Sequence, residues 1–230
     1  MIPITVAILG QSNASGVTGP SPFSLADQRA RGARVIDNGD ELDEYPAAVG
    51  PEPWVVDELL GLGFAPTVVI RAIPGINLES IRSEQLPDLI ADFDTGPVAG
   101  LTPDFVILWQ GEADARTESF ARTYHDRLVG PWGESKPESV RDVLHDAWPF
   151  VSLLVVELRL RDYDYGAFHP VVRAAQHLAG TMPGVCVVPS YDAPLMPGQN
   201  QPHVSVDGLD IVGRRAVAAG IAVIGGERCP

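Results

Sequence analysis

Four places along the chain carry groups that together could transfer an acyl group. Ser12 offers a hydroxyl and His203 an imidazole. Gln110-Gly111-Glu112 offers an amide and a carboxylate, and Gly75 an unhindered backbone N–H. A serine hydroxyl becomes a useful nucleophile when a base takes its proton, and histidine suits that task near neutral pH. The tetrahedral intermediate then needs donors aimed at its oxyanion, each worth about 10²–10³ in rate. The backbone N–H groups of Ser12 and Gly75 and the side-chain amide of Gln110 are the candidates.

Such groups are useful only if the fold brings them to one edge. Ile4 to Leu9 is a run of apolar and β-branched residues, the pattern of a strand buried on both faces. It breaks at Gly10, and Gln11, Ser12 and Asn13 follow at once. Ligands of open parallel sheets collect just beyond the carboxyl ends of the strands. The Gly-x-Ser-x-Gly elbow of α/β-hydrolases does not fit, because position 14 is Ala.

Four further runs read as strands: Thr67–Ile73, Asp104–Trp109, Phe150–Leu158 and Val185–Val188. Helices are expected over Pro53–Leu60, Ser83–Asp92, Asp114–Leu128, Pro137–Asp146, Pro170–Ala179 and Val206–Val223. The Asp114–Leu128 helix would put Phe120, Tyr124 and Leu128 on one face at i, i+4 spacing. Strands alternating with helices predict a five-stranded parallel sheet covered on both faces, a three-layer α/β sandwich. With neither repeat nor low-complexity linker, residues 1–230 are expected to form one domain. The acidic stretch holding Asp37, Asp40, Glu41, Asp43 and Glu44 reads as a solvated loop, without the calcium-loop pattern.

The formal net charge of −14 argues against sequence-independent binding to nucleic acid, which relies on Lys and Arg. Mean hydropathy is +0.08, and no apolar run reaches the roughly 18 residues of a membrane span. No basic segment followed by an apolar core opens the chain. A cytoplasmic or particle-associated protein, or a secreted one whose leader has been removed, would each fit. Cys186 lies inside an apolar run and Cys229 is next to last; a buried free thiol and a mobile terminal one are expected, with a disulfide between them as the lesser alternative. His125, His145, His169 and His177 fall on helices or a loop and read as surface or packing residues.

Gly10-Gln11-Ser12-Asn13 after an N-terminal strand resembles the first motif of the SGNH hydrolases, and more narrowly of the branch holding sialate O-acetylesterases and acetylxylan esterases. Trp109-Gln110-Gly111-Glu112-Ala113-Asp114 resembles the Gln-Gly-Glu motif of that branch. Gly75 stands in the place of its second-motif glycine, although Pro74-Gly75-Ile76-Asn77 departs from the usual Gly-Gly-Thr form. Arg173-Ala174-Ala175-Gln176 resembles its Arg-x-x-Gln, and His203 with Gly208 and Gly213 its final motif. The resemblance spans nearly the whole chain. It implies a flavodoxin-like fold and a serine esterase that removes acetyl groups from a saccharide, with no metal or cofactor.

One departure bears on mechanism. The final motif of that family usually reads Asp-x-x-His, and here it reads Asn200-Gln201-Pro202-His203. An amide cannot stabilise an imidazolium as a carboxylate does. The resemblance offers Glu112 as the acid, since some esterases of the branch use the Glu of this motif. Asn200 itself, Asp192 and Asp207 are the rivals. Glu112 also fits a purely structural carboxylate near a helix start. Asn13 and Glu157, the latter ending a strand at the same rim, are candidate substrate contacts. The departure leaves a non-enzymatic reading open: a retained esterase fold that binds saccharide or serves in a larger assembly, such as a phage particle.

Overall fold

The computed structural model describes residues 1–16, 19–130, 138–159, 167–197, 203–227 and 229. Its centre is β1 (Ile2–Gly10), whose Val6, Ala7, Ile8 and Leu9 are wholly buried. A nine-residue apolar strand can be buried this deeply only with neighbours on both sides. These are β4 (Phe64–Ala72) and β5 (Phe105–Trp109), both parallel to it. Outward lie β2 (Arg34–Asp37) beyond β4, and β6 (Ser152–Val156) and β7 (Val185–Val188) beyond β5. Two-residue β3 (Asp40–Glu41) pairs antiparallel with β2 at the edge. The spatial order is β3-β2-β4-β1-β5-β6-β7.

The chain goes from β1 out to β2 and β3 on one side, returns to β4 beside β1, and then crosses to β5, β6 and β7 on the other. This makes the carboxyl end of β1 the switch point where such sheets leave a crevice. The sheet has seven strands where five were expected. The added β2 and β3 come from the acidic stretch expected to be a loop. They form a hairpin around Asn38-Gly39, both with positive φ, as a two-residue turn of this kind requires.

Alternation along β1 sorts the two cores. Ile4, Val6 and Ile8 face α3 (Glu52–Gly61) and α10 (Val206–Ile224), through Trp54, Val55, Leu59, Val212 and Val217. Ala7 and Leu9 face the opposite layer, which contains α5 (Leu86–Asp94), α8 (Val140–Ala147) and α9 (His169–Ala179). Ser139 caps α8 in a capping box with Asp142; Pro137, expected at its start, lies outside the described residues.

The helix expected over Asp114–Leu128 is broken. A 3-10 turn at Asp114–Arg116 is followed by α6 (Glu118–Arg122) and α7 (Tyr124–Leu128). Thr117 is extended, and the Thr123 hydroxyl donates back to the Ser119 carbonyl, which competes with the helix ladder. Tyr124 and Leu128 are buried as their spacing implied, while Phe120 stays on the surface under the Arg127 guanidinium.

Cys186 and Cys229 form a disulfide, which corrects the expectation of two thiols. It closes a 43-residue separation and fastens the chain beyond α10 to β7. Among the described residues, no helix is long and apolar enough to cross a membrane.

Candidate functional site

Gly10 has no room for a side chain: a Cβ there would lie 2.3 Å from the Trp109 carbonyl oxygen and 2.7 Å from the Ala14 Cβ. This close approach lets the chain fold straight from β1 into a single helical turn, α1 (Ser12–Ser15). The Gln11 carbonyl accepts from the N–H groups of Ala14 and Ser15, so Ser12 opens the turn at the rim of the sheet.

The His203 Nε2 stands 2.9 Å from the Ser12 Oγ, across 191 residues of sequence. The segment carrying the imidazole is held from two sides. The His203 carbonyl accepts from the Met196 N–H at 2.9 Å, and the Val204 N–H donates to Asn13 Oδ1 at 3.1 Å. Ser205 then caps α10 by accepting from the Gly208 N–H. Burial pushes the imidazole pKa below its ordinary 6.5, so the neutral form is favoured.

Glu112 follows β5 and is 3% exposed. Its Oε1 accepts from Asn13 Nδ2 at 2.6 Å and its Oε2 from Gln11 Nε2. Burial pushes this carboxyl up; its own backbone N–H and the Asn13 and Gln11 amides pull it back only in part. The hydrogen bonds of Glu112 thus run to the residues flanking Ser12.

Gln110 is wholly buried, and its amide donates to Asp114 Oδ2. Asp114 also accepts from the Leu78 N–H at 2.9 Å and from Arg127 Nη2 at 2.8 Å. One buried carboxylate therefore ties the third-motif amide to the start of α4 (Leu78–Ser80), just beyond the Gly75 turn. Gly75 is exposed with φ of 78°, a conformation that suits glycine and leaves the turn free of a side chain.

The other candidates are placed elsewhere on the rim. Glu157, directly after β6, accepts from Arg173 through Oε1, from His177 Nε2 at 2.8 Å, and from the Ser190 N–H at 3.3 Å. His177, expected as a surface or packing residue, is indeed exposed, and its ring nitrogen reaches this carboxylate. Asp192 is held by Arg215 at 2.5 and 2.7 Å, which lowers its pKa to about 2. Asp207 sits in the first turn of α10. Asn200 lies outside the described residues.

Two buried glutamines brace the rim. Gln85 Nε2 donates to the Gly10 carbonyl at 3.0 Å. Gln176 Nε2 donates to the Gln110 carbonyl at 3.0 Å, while its Oε1 accepts from the Leu158 N–H at 2.7 Å. Gln85 escaped the sequence reading. Its signal was a polar residue on the apolar stripe Ile81, Gln85, Leu89.

Comparison with solved structures shows that the chain shares its fold with known proteins at low sequence identity. A protein from Arabidopsis thaliana superposes with a TM-score of 0.69 at 16% identity, over 95% of this chain and 98% of that one. A carbohydrate acetylesterase from Xanthomonas citri gives 0.66 at 17% identity; 97% of this chain is covered, but only 57% of that one. A family 3 carbohydrate esterase from Talaromyces cellulolyticus gives 0.61 at 12% identity, over 97% and 99%. No protein-family model and no curated protein matches the sequence.

Proposed function

We propose that the chain is a serine esterase that removes O-acetyl groups from a saccharide. The observation that carries this reading is the 2.9 Å contact between Ser12 Oγ and His203 Nε2. The hydroxyl donates to the neutral imidazole, which takes the proton as Oγ attacks the acetyl carbonyl. The imidazolium returns that proton to the departing sugar oxygen. Water, activated by the same imidazole, then hydrolyses the acyl-enzyme to acetate.

The oxyanion is met by the N–H of Ser12, since the first N–H groups of a helix have no intrahelical partner, and by the N–H of Gly75. Gln110, wholly buried with its amide on Asp114, supports the rim behind these donors. The saccharide substrate is supported by the carbohydrate esterases among the similar folds. The Ser12–His203 contact favours turnover over a fold retained for binding alone.

The test is acetate release from p-nitrophenyl acetate and from an acetylated xylan, wild type against Ser12→Ala. Loss of about 10⁴-fold or more is expected. Equal rates in the two proteins would overturn the assignment.

A further inference from the structure

We propose that Asn13 and Glu112 are positioning residues, a two-link bridge that sets where the His203 imidazole stands over Ser12. The proposal rests on the Ser12–His203 reading above. Asn13 follows Ser12 in the chain and Val204 follows His203, so the Val204 N–H to Asn13 Oδ1 bond joins the same two segments as the Ser12–His203 contact. One contact between two segments permits a pivot; two side by side do not.

The Asn13 amide can sit in either of two orientations related by a half-turn, and only one serves. Oδ1 must face the Val204 N–H, so Nδ2 must face away. Both oxygens of Glu112 meet amide NH2 groups, so the carboxyl acts here as an acceptor. Glu112 at 2.6 Å therefore selects the orientation in which Nδ2 points to it. Gln11 occupies the other carboxylate oxygen in the same sense. Gln11, Asn13 and Glu112 are 1%, 2% and 3% exposed, so the choice is made with little access to bulk water. The influence of Glu112 on the imidazole then travels through Asn13.

This route predicts a rescue. Glu112→Gln alone sets an NH2 group against the Asn13 NH2, or makes the Gln11 amide turn and bury its own NH2 where the unpartnered Oε1 now lies. Asn13→Asp alone sets two carboxylates face to face. Combined, the exchange is complementary again: the new amide donates to the new carboxylate, accepts from Gln11, and leaves an oxygen for the Val204 N–H. Each single variant is expected to lower kcat on p-nitrophenyl acetate about 10²-fold with KM within about threefold, the scale of a small misplacement of a catalytic group. The double variant is expected to recover to within about tenfold of wild type.

The His203 Cε1–H titration, followed by NMR, supplies a second readout that needs no turnover. Its midpoint is expected to shift in each single variant and return in the double. Thermal midpoints check folding; should the exchanged pair fail to fold, Glu112→Gln is compared in the wild-type and Asn13→Ala backgrounds and is expected to add no loss in the latter. A double variant that folds and stays as impaired as Glu112→Gln, or a Glu112→Gln loss that persists undiminished in Asn13→Ala, would overturn the proposal in favour of direct action on the imidazole. A Glu112→Gln protein with unchanged kcat and unchanged titration would overturn it outright. If wild type shows no Ser12-dependent turnover, the esterase reading fails, and the titration alone decides the bridge.

Discussion

Glu112 and Glu157 follow adjacent strands of one sheet, are each 3% exposed, and are satisfied by opposite means. Glu157 meets a guanidinium, an imidazole and a backbone N–H. Glu112 accepts from two side chains, both neutral amides. The outcomes differ accordingly. Burial raises both carboxyls, but at Glu157 the Arg173, His177 and Ser190 hydrogen bonds more than offset it and hold the pKa below the ordinary value. At Glu112 burial wins and the carboxyl stays above it. An ion pair makes a buried carboxylate stable. Two amides leave it costly to fold, but a costly acceptor can still dictate how those amides point.

The sharpest way to break this contrast is to neutralise each glutamate in turn. Glu112→Gln should lower kcat about 10²-fold, and loss of an unfavourably buried charge should offset part of the cost of the mismatched amide. Glu157→Gln should leave kcat/KM within about threefold and cost about 1–3 kcal/mol, the worth of charge-assisted hydrogen bonds left without their acceptor. Steady-state kinetics and denaturant melts decide between them. Comparable effects of both variants on kcat would end the distinction.

The pH dependence follows from the same directions. His203 must be neutral to accept the Ser12 proton, and burial lowers its pKa. Thus kcat/KM should fall about tenfold per pH unit below a midpoint that itself lies under 6.5. A midpoint above that value would mean an ionised carboxylate is stabilising the imidazolium more strongly than burial opposes it.

Glu157 can be pushed toward the condition of Glu112 by removing its guanidinium and imidazole partners. Arg173→Gln with His177→Asn leaves amides in their place. Because the folded pKa of Glu157 is depressed, its contribution to stability is fully present above the unfolded pKa of about 4.3 and is lost as pH falls through the folded value. The double variant should therefore be less stable than wild type at pH 7, and the gap should close as pH falls through the folded value. Melts across that range check the sign. Arg173 is 39% and His177 59% exposed, so solvent screening keeps the difference at neutral pH to about 1 kcal/mol.

What the sequence revealed follows the same division between local and distant causes. β1 and the Ser12 turn were legible because a strand buried on both faces is a continuous apolar run, and the break at Gly10 is abrupt. His203 was legible through the loop before a strongly apolar last helix. β2 and β3 were hidden: Arg34, Asp37, Asp40 and Glu41 carry the composition of a loop, and only Asn38-Gly39 signalled a hairpin. The break in the Asp114–Leu128 helix was hidden too, because Asp114 is drawn inward by Leu78 and Arg127, which no helical periodicity records. The partners of Glu112 lie 101 and 99 residues away, so its identity could be read but not its company.

The smallest effect on catalysis should come from the far end of the sheet. The disulfide binds Cys229 to Cys186 on β7, three strands from β1 in the sheet order. Around it runs a cavity lined by Ser152, Gly180, Gly184 and Val223, at the amino ends of β6 and β7 and opposite the Ser12 rim. Cross-linking a chain stabilises it mainly by restricting the unfolded state, typically by about 2–4 kcal/mol. Cys186→Ser with Cys229→Ser should therefore lower the unfolding free energy by that order, while kcat/KM below the melting range stays within about twofold of wild type. Equilibrium unfolding with and without reductant, paired with kinetics on the same samples, measures both. A tenfold loss of kcat in the folded variant would show that the two ends of the sheet are coupled, and that the rim network is not rigid enough to hold Ser12 and His203 together by itself.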